Sequence, residues 1–244
     1  MLKFSISTND IDRDYILRNT LKKYHFQDAD KEQLTFIYDE ICNSCNPYAI
    51  YRINHRTTGV RYIDESQTAV CAITLGRAMD DILEAYKEEK LLSEAYMAEC
   101  LAGELLLRMY DIFNQEYSKF HRRYVNRYVF PGDVIPLTSI QTVLEDIYDN
   151  HPLEDREIVA NEYGVLLPSK SVVFYALLTD NPKQICAGIC ASCGRTDCEQ
   201  GKALMVTDSN STILLNYGIH KIMGDKLVND IKVNDIKADD NSID

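Results

Sequence analysis

Four cysteines, Cys186, Cys190, Cys193 and Cys198, stand in one short segment with three, two and four residues between them. Ala187, Gly188, Ala191, Ser192 and Gly194 between them leave room for the backbone to wind around a point where four thiolates converge. Convergent thiolates suit a soft metal. A structural zinc site usually pairs two short chelating steps set a dozen or more residues apart, whereas close spacing suits the wrapping of a [4Fe-4S] cluster. Three readings therefore stand: a [4Fe-4S] cluster, zinc, or a loop of thiols without metal. Cys42-Asn43-Ser44-Cys45 repeats a step found in redox and metal sites, but it closes an amphipathic run with no further cysteine nearby and reads as two thiols. Cys71 and Cys100 lie in apolar surroundings and read as core. The five histidines are scattered, none at the spacing of a catalytic or metal pair, and the chain has neither a Gly-rich phosphate loop nor a nucleophile elbow.

Composition narrows the setting of this chemistry. The 244 residues carry 26 Lys+Arg against 38 Asp+Glu, a net charge of −12, which argues against a nucleic-acid binder because such binding runs on basic surface. An apolar share of 45% is ordinary for a protein with a sizeable core. No apolar run is long enough to span a membrane, and the start, Met1-Leu2-Lys3-Phe4-Ser5-Ile6, has no export character. The expectation is a cytoplasmic protein with reduced cysteines.

Helical spacing places two helices between residues 10 and 45, with Asp10, Asp12 and Asp30 as candidate N-caps and Asn46-Pro47 as the stop. Residues 48 to 55 alternate as a half-buried strand, Val60 to Ile63 follow a turn at Thr57-Thr58-Gly59, and Thr68 to Leu75 is an apolar strand. Two amphipathic runs follow, Ala78 to Lys90 and Leu92 to about Arg122, the second with Met97, Leu101, Leu105, Met109, Ile112, Phe113 and Phe120 on its apolar face. Arg127 to Pro136, with two prolines and a glycine, reads as a break, and Thr138 or Ser139 as the cap of a short helix ending at Tyr148. Tyr163 to Leu178 reads as two strands or a bent one. The absence of a regular βαβ period predicts an α+β fold: a mixed, largely antiparallel sheet with long flanking helices. One domain is expected over residues 1–227, cysteine cluster included, followed by a disordered polar tail over 228–244 in which Asn-Asp-Ile-Lys recurs.

In order, these pieces resemble the activation domain of cobalamin-dependent methionine synthase, in particular short free-standing relatives that end in a four-cysteine loop. The resemblance rests on Ile73-Thr74-Leu75-Gly76 before paired helices, Arg127-Tyr128 with Pro131-Gly132-Asp133 and Pro136-Leu137, Pro168-Ser169-Lys170-Ser171-Val172, and the cysteine loop. It covers roughly residues 10 to 200. It implies a groove for S-adenosylmethionine in which Arg127, beside Tyr128, meets the methionine carboxylate. Pro131-Gly132 would allow close approach of the ligand, and Tyr175 would cover the sulfonium or adenine. It further implies an accessory role in methionine biosynthesis: reductive reactivation of a cobalamin-dependent methyltransferase, and thus a component of methyltransferase activity. Cobalamin would be present only on that partner or another corrinoid protein, with an electron donor such as flavodoxin. The alternative is a metal-stabilised binding or regulatory module that has lost S-adenosylmethionine.

Overall fold

A computed structural model describes residues 1–53, 68–132, 135–149 and 151–186. Five strands form one antiparallel sheet: β1 (Leu2–Ser5), β2 (Tyr48–Ile53), β3 (Thr68–Thr74), β4 (Tyr124–Val129) and β7 (Ser171–Thr179). Their spatial order is β1-β2-β3-β7-β4. A ribbon of β5 (Val159–Ala160) and β6 (Leu166–Leu167) stands apart from it. The central strand β3, Thr-Ala-Val-Cys-Ala-Ile-Thr, is buried at every residue, as its unbroken apolar run requires of a strand covered on both faces.

Helices supply both covers. One face carries α4 (Leu92–His121), joined by α1 (Arg13–Lys23), α2 (Lys31–Ser44) and α3 (Ala78–Glu88). Against it lie Phe4, Tyr51, Cys71, Phe174 and Tyr128. Phe174 packs its ring 5.4 Å from Tyr110 and 5.8 Å from Phe113 of α4, centroid to centroid. The other face carries α5 (Ile140–Tyr148), which buries Ile140, Val143, Leu144, Ile147 and Tyr148 against Ile50, Val70, Ala72, Val173 and Tyr175. Each such side chain contributes about 1.5–3 kcal/mol when fully removed from water, so α5 is held by its apolar stripe rather than by its short length.

The α+β reading holds, and most elements fall where the spacing placed them. Asp12 caps α1 by accepting the Tyr15 amide at 3.0 Å, and α2 begins after Asp30. Cys71 and Cys100 are core residues. Two expectations are corrected. Phe120 stands 67% exposed, because the end of α4 meets the sheet through Tyr117 and His121, which pack on Tyr51, and Phe120 lies off that stripe. The expected break from Arg127 to Pro136 begins later, since strand pairing with β7 holds the chain extended through Val129 before the prolines act. Val60 to Ile63 lie outside the described residues.

Residues Met1–Ile185 form one compact unit. That unit contains every element above. The expected boundary at residue 227 and the tail over 228–244 lie outside the described residues.

Candidate functional site

The placement of Arg127 depends on one extra residue in β4. Val125 pairs with Leu178 and Arg127 with the next residue back, Leu177, so a bulge at Asn126 breaks the alternation of the strand. Val125 and Tyr128 both face α4, whereas Arg127 joins Val129 on the side of α5. Without the bulge, alternation from Val125 would carry the Arg127 guanidinium into the aromatic core beneath α4. The Val125 amide, turned away from the ladder, donates instead to Asn114 Oδ1 of α4 at 2.9 Å. Arg127 is exposed on the edge strand and takes part in no ion pair or hydrogen bond among the described residues.

β4 leads directly into a tight turn. Pro131 bridges to Ile135, and the Gly132 amide donates to the Ile135 carbonyl at 2.8 Å. Gly132 has φ +93°, a conformation in which a Cβ is strained, so glycine is needed here for backbone reasons alone. A side chain at this position would also meet Leu137 Cδ1 at 3.5 Å. Leu137 in turn lines a cavity of about 340 Å³ between the start of α5 and the turn that joins β5 to β6. That volume lies in the ~300–1,000 Å³ range of small-molecule sites.

The other residues named in the resemblance occupy different positions. Tyr128 is buried beneath α4, and its hydroxyl donates to the Tyr110 carbonyl at 3.1 Å. Tyr175 is fully buried on the opposite face, and its hydroxyl donates to Asp146 of α5 at 3.3 Å. Thus Arg127 and the Pro131-Gly132 turn follow one another along the sheet edge at the surface, while the two tyrosines lie inside on opposite faces. Cys186 is buried; Cys190, Cys193 and Cys198 lie outside the described residues. Among the described residues no three His, Cys, Asp or Glu side chains gather as metal ligands would. Burial raises the Cys42 thiol and pushes Cys45 up to about 12, which keeps both protonated at neutral pH and fits the reading of two unreactive thiols. No helix among the described residues is long and apolar enough to cross a membrane.

The topology can be matched to a known structure. The fold is similar to that of the MetH reactivation domain. The crystal structure of that domain bound to AdoHcy superposes with a TM-score of 0.51 at 12% identity, covering 72% of this chain and 77% of the other. At that identity the likeness is one of fold. No family model matches the chain, and no curated protein matches it in sequence.

Arg127 and Gly132 were named from the sequence, whereas two other parts of this region were not. Asn114 was visible only as a polar residue on an otherwise apolar helical face, with nothing to mark it as a bulge partner. Tyr163 to Val165, the second half of the turn that begins at Asn161, fell within an expected strand, although Asn and Gly three residues apart are turn residues with a physical reason to be there.

Proposed function

We propose that this chain is an accessory protein for the S-adenosylmethionine-dependent reductive reactivation of a cobalamin-dependent methyltransferase of the methionine synthase kind. The observation that supports it most is the guanidinium of Arg127, without a partner among the described residues and held at the surface by a bulge, in a fold similar to that of a domain solved with AdoHcy bound. A planar guanidinium is suited to a bidentate contact with the ligand's carboxylate. The Gly132 turn lets a ligand approach the backbone where a Cβ would stand. Tyr128 and Tyr175 act from within: each fixes one of the two strands that present the edge, through the Tyr110 carbonyl and the Asp146 carboxylate.

The chemistry supplied on the partner is one-electron reduction of its cobalamin, from a donor such as flavodoxin, followed by methyl transfer from S-adenosylmethionine that pulls the uphill reduction forward. The role of this chain is to bind the methyl donor and present its methyl group to that partner. Cys186, Cys190, Cys193 and Cys198 have the donor chemistry for a [4Fe-4S] cluster or zinc. The test is reactivation of an oxidised cobalamin-dependent methyltransferase with a chemical reductant and methyl-labelled S-adenosylmethionine. The expected result is labelled methylcobalamin that depends on this chain and falls with Arg127→Ala. Labelling no greater than without the chain counts against the proposal.

The complete burial of Tyr175 and Tyr128 favours one other reading, a metal-stabilised binding or regulatory module that no longer takes S-adenosylmethionine. Under it Cys193→Ser releases metal and unfolds the protein, and S-adenosylmethionine does not bind.

A further inference from the structure

The outer side of the helical layer leaves large apolar side chains in water. Phe36 of α2 is 62% exposed, and Leu92 and Tyr96, one turn apart at the start of α4, are 69% and 52% exposed. Scattered singly such residues are ordinary, but gathered at one place they mark a contact surface. Three observations gather these. The Tyr86 hydroxyl of α3 donates to Glu40, which stands one turn along α2 from Phe36. The Leu91 amide donates to the Tyr86 carbonyl at 2.8 Å across a turn in which Lys90 takes φ +62°, so the α3–α4 turn sets Leu91 and Leu92 beside the same tyrosine. The Phe26 ring, in the link between α1 and α2, packs 5.6 Å from that of Tyr96, centroid to centroid. The start of α4, the end of α3 and the outer side of α2 thus share one apolar surface.

Carboxylates border it. Burial, and then the charges of Glu40, Glu94 and Glu89, raise the pKa of Tyr86, so all three carboxylates lie close to that ring. Residues 31–40 and 84–96 carry seven acidic side chains against three basic ones, Lys31, Lys87 and Lys90, and the acidic excess survives the pairing of Asp39 with Arg13 of α1. A negative border on an apolar face selects its occupant. It repels a second copy of the same face and an anionic lipid surface, and it attracts a chain that carries lysine or arginine beside its own apolar residues.

We propose that this surface docks a basic amphipathic helix of a protein partner, with its apolar stripe on Phe36, Leu92 and Tyr96 and its cations on Glu89 and Glu94. Side chains four residues apart on a helix, as Leu92 and Tyr96 are, form a ridge against which another helix packs, and an apolar centre with a charged rim is the usual anatomy of such a contact. The surface involves neither Arg127 nor the Gly132 turn, so its test is independent of the reading of those residues.

The test is fluorescence anisotropy of a labelled synthetic helix of leucine and lysine at amphipathic spacing, titrated with the full chain. The same helix with glutamate in place of lysine is the control. Two paired variants, Phe36→Ala with Leu92→Ala and Glu89→Gln with Glu94→Gln, remove the apolar centre and the border in turn, and unchanged melting confirms that the fold survives. The expected result is that the lysine helix binds, that the glutamate helix does not, and that each pair weakens binding about tenfold. Raising salt from about 50 to about 300 mM is expected to weaken binding to the natural chain more than to the Glu89→Gln, Glu94→Gln protein. Leu153→Ala with Glu154→Gln, an exposed apolar and acidic pair elsewhere on the chain, is expected to leave binding unchanged. Absence of binding, or binding that all three pairs alter alike, overturns the proposal. Sedimentation that shows self-association of the full chain, abolished by Phe36→Ala with Leu92→Ala, also overturns it, because the occupant is then a second copy.

Discussion

The Asn114 side-chain carbonyl accepts the Val125 amide at 2.9 Å, at the point where β4 takes up its extra residue. Asn114 is 8% exposed and Val125 is fully buried, so this amide has no access to water as a substitute partner. Asn114→Ala is expected to lower stability by about 1–3 kcal/mol, the penalty for a buried donor left unpaired. It is also expected to weaken any ligand held by Arg127, because the bulge that aims Arg127 outward loses its support. Urea denaturation and ligand titration on the same variant check both effects. Equal stability with intact binding would show that the bulge is held by β7 alone.

Tyr175 and Tyr128 lie one residue out of register on adjoining strands, since Tyr175 pairs with Val129 and Tyr128 with Ala176, and they therefore face opposite helices. Tyr175→Phe removes one hydrogen bond to Asp146 and leaves the ring in place. The expected loss is about 1 kcal/mol of stability with no change in affinity for S-adenosylmethionine. A large fall in affinity without a fall in stability would instead mean that the ring reaches the ligand directly.

Glu104 is the buried carboxylate of α4, 3% exposed, and takes hydrogen bonds from Asn19, Lys23 and Tyr24. Lys23 is itself only 13% exposed at its side chain, so Glu104→Ala strands a cation at the contact of α1 with α4. The expected cost is about 3–5 kcal/mol, and Lys23→Met in the same chain should restore a large part of it. Thermal melting of the single and double variants decides. A double variant no better than Glu104→Ala would place the loss in packing rather than charge.

The Tyr51 hydroxyl and His121 Nε2 share a hydrogen bond at 2.8 Å, whose direction follows the tautomer of the imidazole. Burial holds His121 below its usual value of 6.5. The unfolded chain thus takes up a proton near pH 6.5 that the native state still refuses. This stability is complete above that pH and is lost as pH falls through the lower, folded value. Unfolding midpoints followed from about pH 7.5 to about pH 5 should fall, and less steeply in His121→Gln. Equal slopes in the two proteins would assign the pH dependence to other groups.

The sequence showed the layers of this fold more clearly than its edges. α4 and β3 were legible because their apolar residues keep one period over a long run, and burial follows period. β1, β4 and β5 were not, because a short strand owes its extension to a neighbour distant in sequence: Leu2 pairs with Tyr51 and Val129 with Tyr175. The same limit applied to the site. Arg127 and Gly132 were visible as residue types, but the face on which Arg127 stands depends on a bulge whose partner is eleven positions away on a helix. Tyr175 read equally well as ligand contact or core, and only the packing of α5 over it separates the two.

The most direct test of the account is a calorimetric titration of S-adenosylmethionine into the protein purified without oxygen. Binding is expected in about the micromolar range, and Arg127→Ala weakens it about ten- to a hundredfold through loss of a charged, bidentate contact. Absence of binding, or binding that Arg127→Ala leaves unchanged, would contradict it.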